Sequence, residues 1–170
     1  MPVLVVVEGP TDRATVEAIA ERENLRVKTL LMRGNNPGKA VRLVKAVSRT
    51  EKPSKVVVLK DQHRYPESIV NRLLKRISSS LQNLGVKVYT IKVRKAIETW
   101  LLAGLVEREI NAEEIDDPVE SLNHILIQRF GKRYVKSPDL ARSLAKSMDL
   151  NKALQRSQTL KTFLEAVKDP

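Results

Sequence analysis

The chain has 170 residues, 42% of them hydrophobic and 30% charged, with a formal net charge of +11 and no cysteine. That suits a folded α/β core, alone or with a small helical appendage, rather than a disordered chain. Disulfides, zinc-thiolate sites and cysteine nucleophiles are excluded, and with no apolar run near ~18 residues and no signal peptide in Val3–Val7, a cytoplasmic location without membrane contact is expected.

The first element is the apolar run Val3-Leu4-Val5-Val6-Val7, which reads as a strand buried on both faces. It runs into Glu8, and Gly9-Pro10-Thr11-Asp12 follows at the start of a helical pattern extending from about Asp12 to Glu23. In open α/β sheets chemistry gathers at the carboxyl ends of strands, so Glu8 and Asp12 can aim two carboxylates at one point. The plainer alternative is that Thr11 or Asp12 caps the helix and Glu8 is a solvated strand end. A second strand is expected from about Leu25 to Met32, then a turn cluster at Arg33-Gly34-Asn35-Asn36-Pro37-Gly38 and a helix near Lys39–Arg49. Lys55–Lys60 is another β-branched run that delivers an acid, Asp61, followed by Gln62, His63 and Arg64. A helix from about Glu67 to Leu84 ends at Gly85, and Val86–Ile91 alternates as a half-buried strand. From Ala96 onward the pattern is helical, with breaks at Asp116-Asp117-Pro118 and Ser137-Pro138.

The expected fold is therefore α/β: a four-stranded, mainly parallel sheet with helices on both faces (residues 1–95). A helical carboxyl-terminal extension (residues 96–170) follows, which covers the sheet, docks a partner or forms a homodimer through its helices. Right-handed crossovers would bring several strand ends to one edge, so that Glu8, Asp12 and Asp61 converge. The charge is unevenly placed. Residues 1–100 hold 20 Lys/Arg against nine Asp/Glu, whereas residues 101–170 hold 11 of each. A basic surface around an acidic pocket suits a metal-assisted phosphodiester site, the cations attracting a nucleic-acid backbone and the acids holding the metal; general solubility is the alternative.

These two motifs, Glu8-Gly9-Pro10-Thr11-Asp12 and Asp61-Gln62-His63, resemble those of the Toprim domain. That fold is shared by topoisomerases, bacterial-type primases, OLD-family nucleases and small ribosomal-RNA maturation nucleases. The resemblance implies that Glu8 and Asp61 bind Mg²⁺ or Mn²⁺ and that Asp12 assists. Glu98-Thr99-Trp100-Leu101-Leu102-Ala103 is similar to a Glu-x-Trp-Leu-Leu-Ala segment of small uncharacterised Toprim-like proteins, which adds Glu98 to the metal set; without it, Glu98 is an acid favoured by a helix amino terminus. The pattern's second acid is replaced here by His63. Imidazole suits transition metals better than Mg²⁺, so the second metal position is lost, the site is more Mn²⁺-like, or His63 serves as a general acid or base; a plain loop role is equally open.

The resulting expectation is a metal-dependent, nuclease-like hydrolase acting on DNA or RNA. Glu8, Asp12, Asp61 and His63 are its catalytic candidates, Glu8, Asp61 and Glu98 its metal ligands, and Arg13, Lys39, Lys60 and Arg64 its backbone contacts. Lys60 and Arg64 can instead pair with the acids and replace the metal. That gives the rival expectation, a decayed Toprim-like module that binds nucleic acid or a protein without chemistry. Trp100 is expected in the core.

Overall fold

The computed structural model describes residues 1–32 and 36–170, so Arg33, Gly34 and Asn35 of the expected turn lie outside the described residues. The sheet comprises β1 (Val3–Val7), β2 (Val27–Leu31), β3 (Lys55–Asp61) and β4 (Lys87–Val93), with α1 (Pro10–Arg22), α2 (Pro37–Glu51) and α3 (Glu67–Leu81) as successive connections. Its order is β2-β1-β3-β4 and every pairing is parallel, so the sheet is wholly rather than mainly parallel. The chain steps from β1 outward to β2 and then returns to the other side of β1 as β3. Such a reversal opens a crevice beyond the carboxyl ends of the two strands flanking it, here those preceding Glu8 and ending in Asp61.

Strand periodicity explains why the two central strands read as unbroken apolar runs. Val3, Val5, Val7, Val57 and Leu59 face one layer, which includes Val16 and Ile19 of α1. Leu4, Val6, Val56 and Val58 face the other, built from α2 and α3 with Val44, Val70, Leu74 and Ile77. Each such side chain stabilises the fold by roughly 1.5–3 kcal/mol on burial.

The rest of the chain forms α4 (Glu98–Leu105), α5 (Pro118–Phe130), α6 (Pro138–Ser147), α7 (Leu150–Arg156) and α8 (Gln158–Lys168). These helices close over the first sheet face and share its core through Trp100, Leu122, Leu144, Leu160, Phe163 and Leu164. Trp100 is fully buried, stacks on Phe163 at 5.3 Å between centroids, and donates from Nε1 to Thr159 Oγ1 at 2.9 Å. The expected breaks prove to be caps: Asp117 accepts from the Glu120 amide and Ser137 from the Leu140 amide, each ahead of a proline in the first turn.

Most element ends shift by one or two residues from the sequence reading, β2 to Val27–Leu31 and α2 to Pro37–Glu51 among them, and three of the shifts have a local cause. α1 begins at Pro10, because proline is pre-organised for a first turn. α3 ends at Leu81, and Gln82–Leu84 tightens into a 3-10 turn before Gly85, whose φ of 71° suits glycine. β4 continues past Ile91 to Val93, since its pairing with β3 runs on to Asp61↔Val93. Among the described residues, no helix is long and apolar enough to cross a membrane.

Candidate metal centre

Register places the first contact. Val6 pairs with Val58, so two residues on, Glu8 lies opposite Lys60 and on the same side of the sheet, while Asp61 points to the other side. The Glu8 carboxylate spans the junction. Its Oε1 accepts from Lys60 Nζ and its Oε2 accepts from the Asp61 amide at 3.1 Å. Glu8 is therefore no solvated strand end. Lys60 is 1% exposed; its ammonium also donates to the Asp61 carbonyl at 3.2 Å and sits 5.6 Å from the Tyr65 ring centroid. Of the two roles the sequence left open for Lys60, the structure contains the ion pair: buried, it cannot meet a passing phosphate, which corrects its assignment as a backbone contact.

His63 turns back over these acids. Its Nε2 lies 3.3 Å from Glu8 Oε2 and 3.9 Å from Asp61 Oδ2, with the side chain 39% exposed. The turn requires a left-handed backbone, φ 50°, and Lys95 in the adjoining loop adopts φ 65°. The His63 amide donates to the Lys95 carbonyl at 2.7 Å and thereby locks the two loops together. Non-glycine residues in this region cost on the order of 1–3 kcal/mol and collect at functional sites. One ligand atom from each of Glu8, Asp61 and His63 falls within a group no wider than 4.8 Å.

Asp12 and Glu98 complete the electrostatic cluster without joining that group. Asp12 Oδ2 accepts from the Gly9 amide at 3.0 Å, so it does close the start of α1. It also lies in the field of the other acids: burial, then the charges of Glu98 and Glu8, push its carboxyl up to about 6. Asp61, 6% exposed, is raised well above the carboxylate range by burial and then by Asp12, Glu8 and Glu98, although the Ile97 amide donates to its Oδ2 at 3.3 Å. Burial would raise Glu8 too, but hydrogen bonds from His63 and Lys60 outweigh it and leave Glu8 below its ordinary value. Glu98 is 1% exposed at the start of α4. Its Oε1 accepts from the Tyr134 hydroxyl at 3.1 Å and pairs with Lys136 at 3.6 Å, whereas Oε2 is buried without a partner.

Tyr134 and Lys136 were missed by the sequence reading. They sit in the segment between α5 and α6, which brings a phenol and an ammonium to Glu98; Lys136 also draws the Asp12 carboxyl downward. The only hint in the sequence was a basic and aromatic run, Lys132-Arg133-Tyr134-Val135-Lys136, inside a helix break. Among the other candidates, Arg13 follows Asp12 with a buried, unpartnered Nε, and Lys39 is exposed in the first turn of α2. Arg64 is exposed and, with His63, Tyr65, Lys95 and Asp117, lines a cavity of about 820 Å³ beside the acids. The second histidine, His124, lies exposed on α5 and bonds Gln128.

The donor set fits a first-row divalent ion. For bonds of ~2.1 Å, neighbouring ligand atoms lie about 3–3.4 Å apart; the 3.3 Å from His63 Nε2 to Glu8 matches, and the 3.9 Å to Asp61, in a group within 4.8 Å, is wider and would have to close around the ion. Two carboxylates and an imidazole favour Mn²⁺ over Mg²⁺, which prefers oxygen. No family model matches this chain, and no curated protein matches its sequence.

Proposed function

We propose that this chain is a divalent-metal-dependent, phosphodiester-cleaving protein that acts on nucleic acid in the cytoplasm, of the Toprim-like kind its acidic motifs resemble. The observation that carries the reading is the meeting of Glu8, Asp61 and His63 within 4.8 Å at the strand-order reversal of the sheet. Glu8 Oε2, Asp61 Oδ2 and His63 Nε2 would hold Mn²⁺, or Mg²⁺ less tightly, with the unpartnered Glu98 Oε2 as a further ligand or a water acceptor. The bound ion would supply charge neutralisation at the scissile phosphate and an acidified water. Lys60 fixes the rotamer of Glu8 from behind. Asp12, raised to about 6, is placed to accept a proton near neutral pH. Arg64 and Arg13 at the rim, with Lys39 beyond, would align the backbone, and the cavity of about 820 Å³ has room for one nucleotide.

The test is calorimetric titration of Mn²⁺ and Mg²⁺ into wild type and Asp61→Ala, with and without a non-cleavable oligonucleotide, followed by cleavage assays. Saturable binding lost in Asp61→Ala, with Mn²⁺ tighter than Mg²⁺, supports the reading. Absence of binding at millimolar metal refutes it.

One observation favours a second reading. The buried Lys60–Glu8 pair already places a cation where a metal would bring charge, as in a module that binds nucleic acid or a protein without chemistry. Nucleic-acid binding of equal strength in metal and in chelator, with no cleavage, would establish it. Exposed Ile127, Phe130 and Val135 near the end of α5 support a homodimer through the carboxyl-terminal helices, which sedimentation of Phe130→Ser against wild type tests.

A further inference from the structure

The layer formed by α2 and α3, on the sheet face away from the carboxyl-terminal helices, carries a charge pattern of which the acidic centre's proposed contacts take only Lys39. Its exposed side chains include Lys39, Arg42, Lys45, Arg49 and Lys52 from α2 and its cap, and Arg72, Lys75 and Arg76 from α3. The layer's acids are Glu51 and Glu67, and each is taken by a strand lysine, Lys28 and Lys92 respectively. None of the eight cations joins an ion pair among the described residues. Arg42, Lys45, Arg49 and Lys52 recur at helical spacing along one stripe, opposite the buried Ala40 and Val44. Arg72, Lys75 and Arg76 likewise lie opposite Val70, Leu74 and Ile77. Like charges so arranged repel one another, a cost that a polyanion would reverse.

We infer that this face is a docking platform for the phosphate backbone of a nucleic-acid duplex, separate from the acidic centre. The inference shares with the proposed function its nucleic-acid partner but not its metal chemistry. Each helix has 15 residues and so runs about 22 Å, and packed helices lie ~8–10 Å apart. The platform is thus a band over whose length a duplex carries about 13 phosphate charges. Neither helix contains an aromatic residue, which removes the stacking surface that single-strand binders use and leaves backbone contact. Ile69 is the one exposed large apolar side chain on these helices among the described residues, too little for an amphipathic face that sinks into a membrane.

A second feature marks one end of the band. Lys45, Arg49 and Lys52 line a cavity of about 440 Å³ together with Ser48. Lys45, Arg49 and Lys52 are exposed there and converge on a space that a backbone phosphate would enter. The opposite end, at Lys39, begins at the sheet edge that bears Glu8, so a duplex on the band leads toward the acids.

The experiment is fluorescence anisotropy in chelator between 50 and 300 mM salt, with a labelled 20-base-pair duplex, its single strand, and vesicles of anionic lipid as probes. Wild type is compared with Arg42→Gln/Lys45→Gln/Arg49→Gln, with Arg72→Gln/Lys75→Gln/Arg76→Gln, and with the control Lys152→Gln/Lys161→Gln on α7 and α8. Thermal melts establish that each variant folds, and all sites changed are exposed. Each α2 or α3 triple variant is expected to weaken duplex binding at least 10-fold and to flatten the log–log salt slope by up to ~2.7, about 0.9 per phosphate contact. The control is expected to keep the wild-type slope. Unchanged slopes in both triple variants, a slope flattened as much in the control, or tighter binding of the single strand or of vesicles than of the duplex would overturn the platform. A failure to cleave anything would count against the metal reading and leave the platform standing.

Discussion

Replacing Asp12 by Asn should stabilise the metal-free protein at neutral pH. Asp12 is ordinarily an acid of about 3.8, held here at about 6 by burial and by the charges of Glu98 and Glu8. For such a group the native state binds more protons than the unfolded state between the two values, so stability falls as pH rises. The penalty is absent below about 3.8, develops through the interval and is complete above about 6. A shift of roughly two units corresponds to about 3 kcal/mol, an upper value because the carboxylates titrate together. Asn keeps an oxygen for the Gly9 amide but loses the charge of the cap, costing up to ~1 kcal/mol. The net expectation is a gain of about 1–2 kcal/mol at pH 7.5 and none at pH 4.

Two neighbours shape the profile in opposite directions. Asp61 is also raised and adds to the loss of stability with rising pH. Glu8 is lowered, so its contribution is present above its ordinary value and is lost as pH falls. The assay is a series of thermal melts in chelator from pH 4 to 8, where 1 kcal/mol moves the midpoint of a chain this size by roughly 2–4 °C. Wild type should lose stability between about pH 4 and 6 and Asp12→Asn should lose less. A wild type that gains stability across that interval, or an Asp12→Asn midpoint at or below wild type at pH 7.5, would refute the placing of these acids in one another's field.

Lys60→Met leaves Glu8 facing the remaining acids without its buried ammonium, and should cost about 3–5 kcal/mol in chelator with partial recovery of the melting midpoint on adding Mn²⁺. Trp100→Ala removes the side chain that stacks on Phe163 and bonds Thr159, for a loss of about 3–5 kcal/mol in denaturant unfolding. Gly104→Ala would set a methyl 2.7–2.9 Å from the Met148 side chain and should cost about 1–3 kcal/mol by overpacking, read from the same unfolding curves.

The parts of the fold legible in the sequence are those ruled by local physics. The unbroken Val3–Val7 run announced a central strand because burial on both faces removes the polar alternation. Asp117-Pro118 and Ser137-Pro138 announced interruptions of the helical run, which the structure makes the cap and first-turn proline of α5 and α6. The meeting of Glu8 with Asp61 followed from parallel strands ending at one edge. What stayed hidden depends on register and on chain folding over long separations. Nothing near Lys60 in sequence says that Glu8 lies opposite it; that follows only from the Val6↔Val58 pairing. Lys55, on the same strand, is likewise buried, donating to the Ala166 and Val167 carbonyls near the end of α8 at 3.1 and 3.3 Å. Tyr134 reaches Glu98 across 36 positions, through a loop whose composition fits any surface turn.

The same charge pattern explains why one site supports two functional readings. Burial and the neighbouring charges raise Asp61 and Asp12, and a cluster of this kind holds together only if something offsets its negative charge. Two means are in the chain itself, protons on Asp61 and Asp12 and the ammonium groups of Lys60 and Lys136; the proposed function adds a third, a divalent cation among Glu8, Asp61 and His63. Protons and cation compete directly, because a metal lowers the carboxyl values that burial raised and displaces what they hold. Lys60 competes less, since it occupies Glu8 Oε1 while the other donors face Oε2. The ion pair that argues for a module without chemistry is thus compatible with metal at the opposite oxygen, and the geometry of Glu8, rather than the presence of Lys60, is what the catalytic reading depends on.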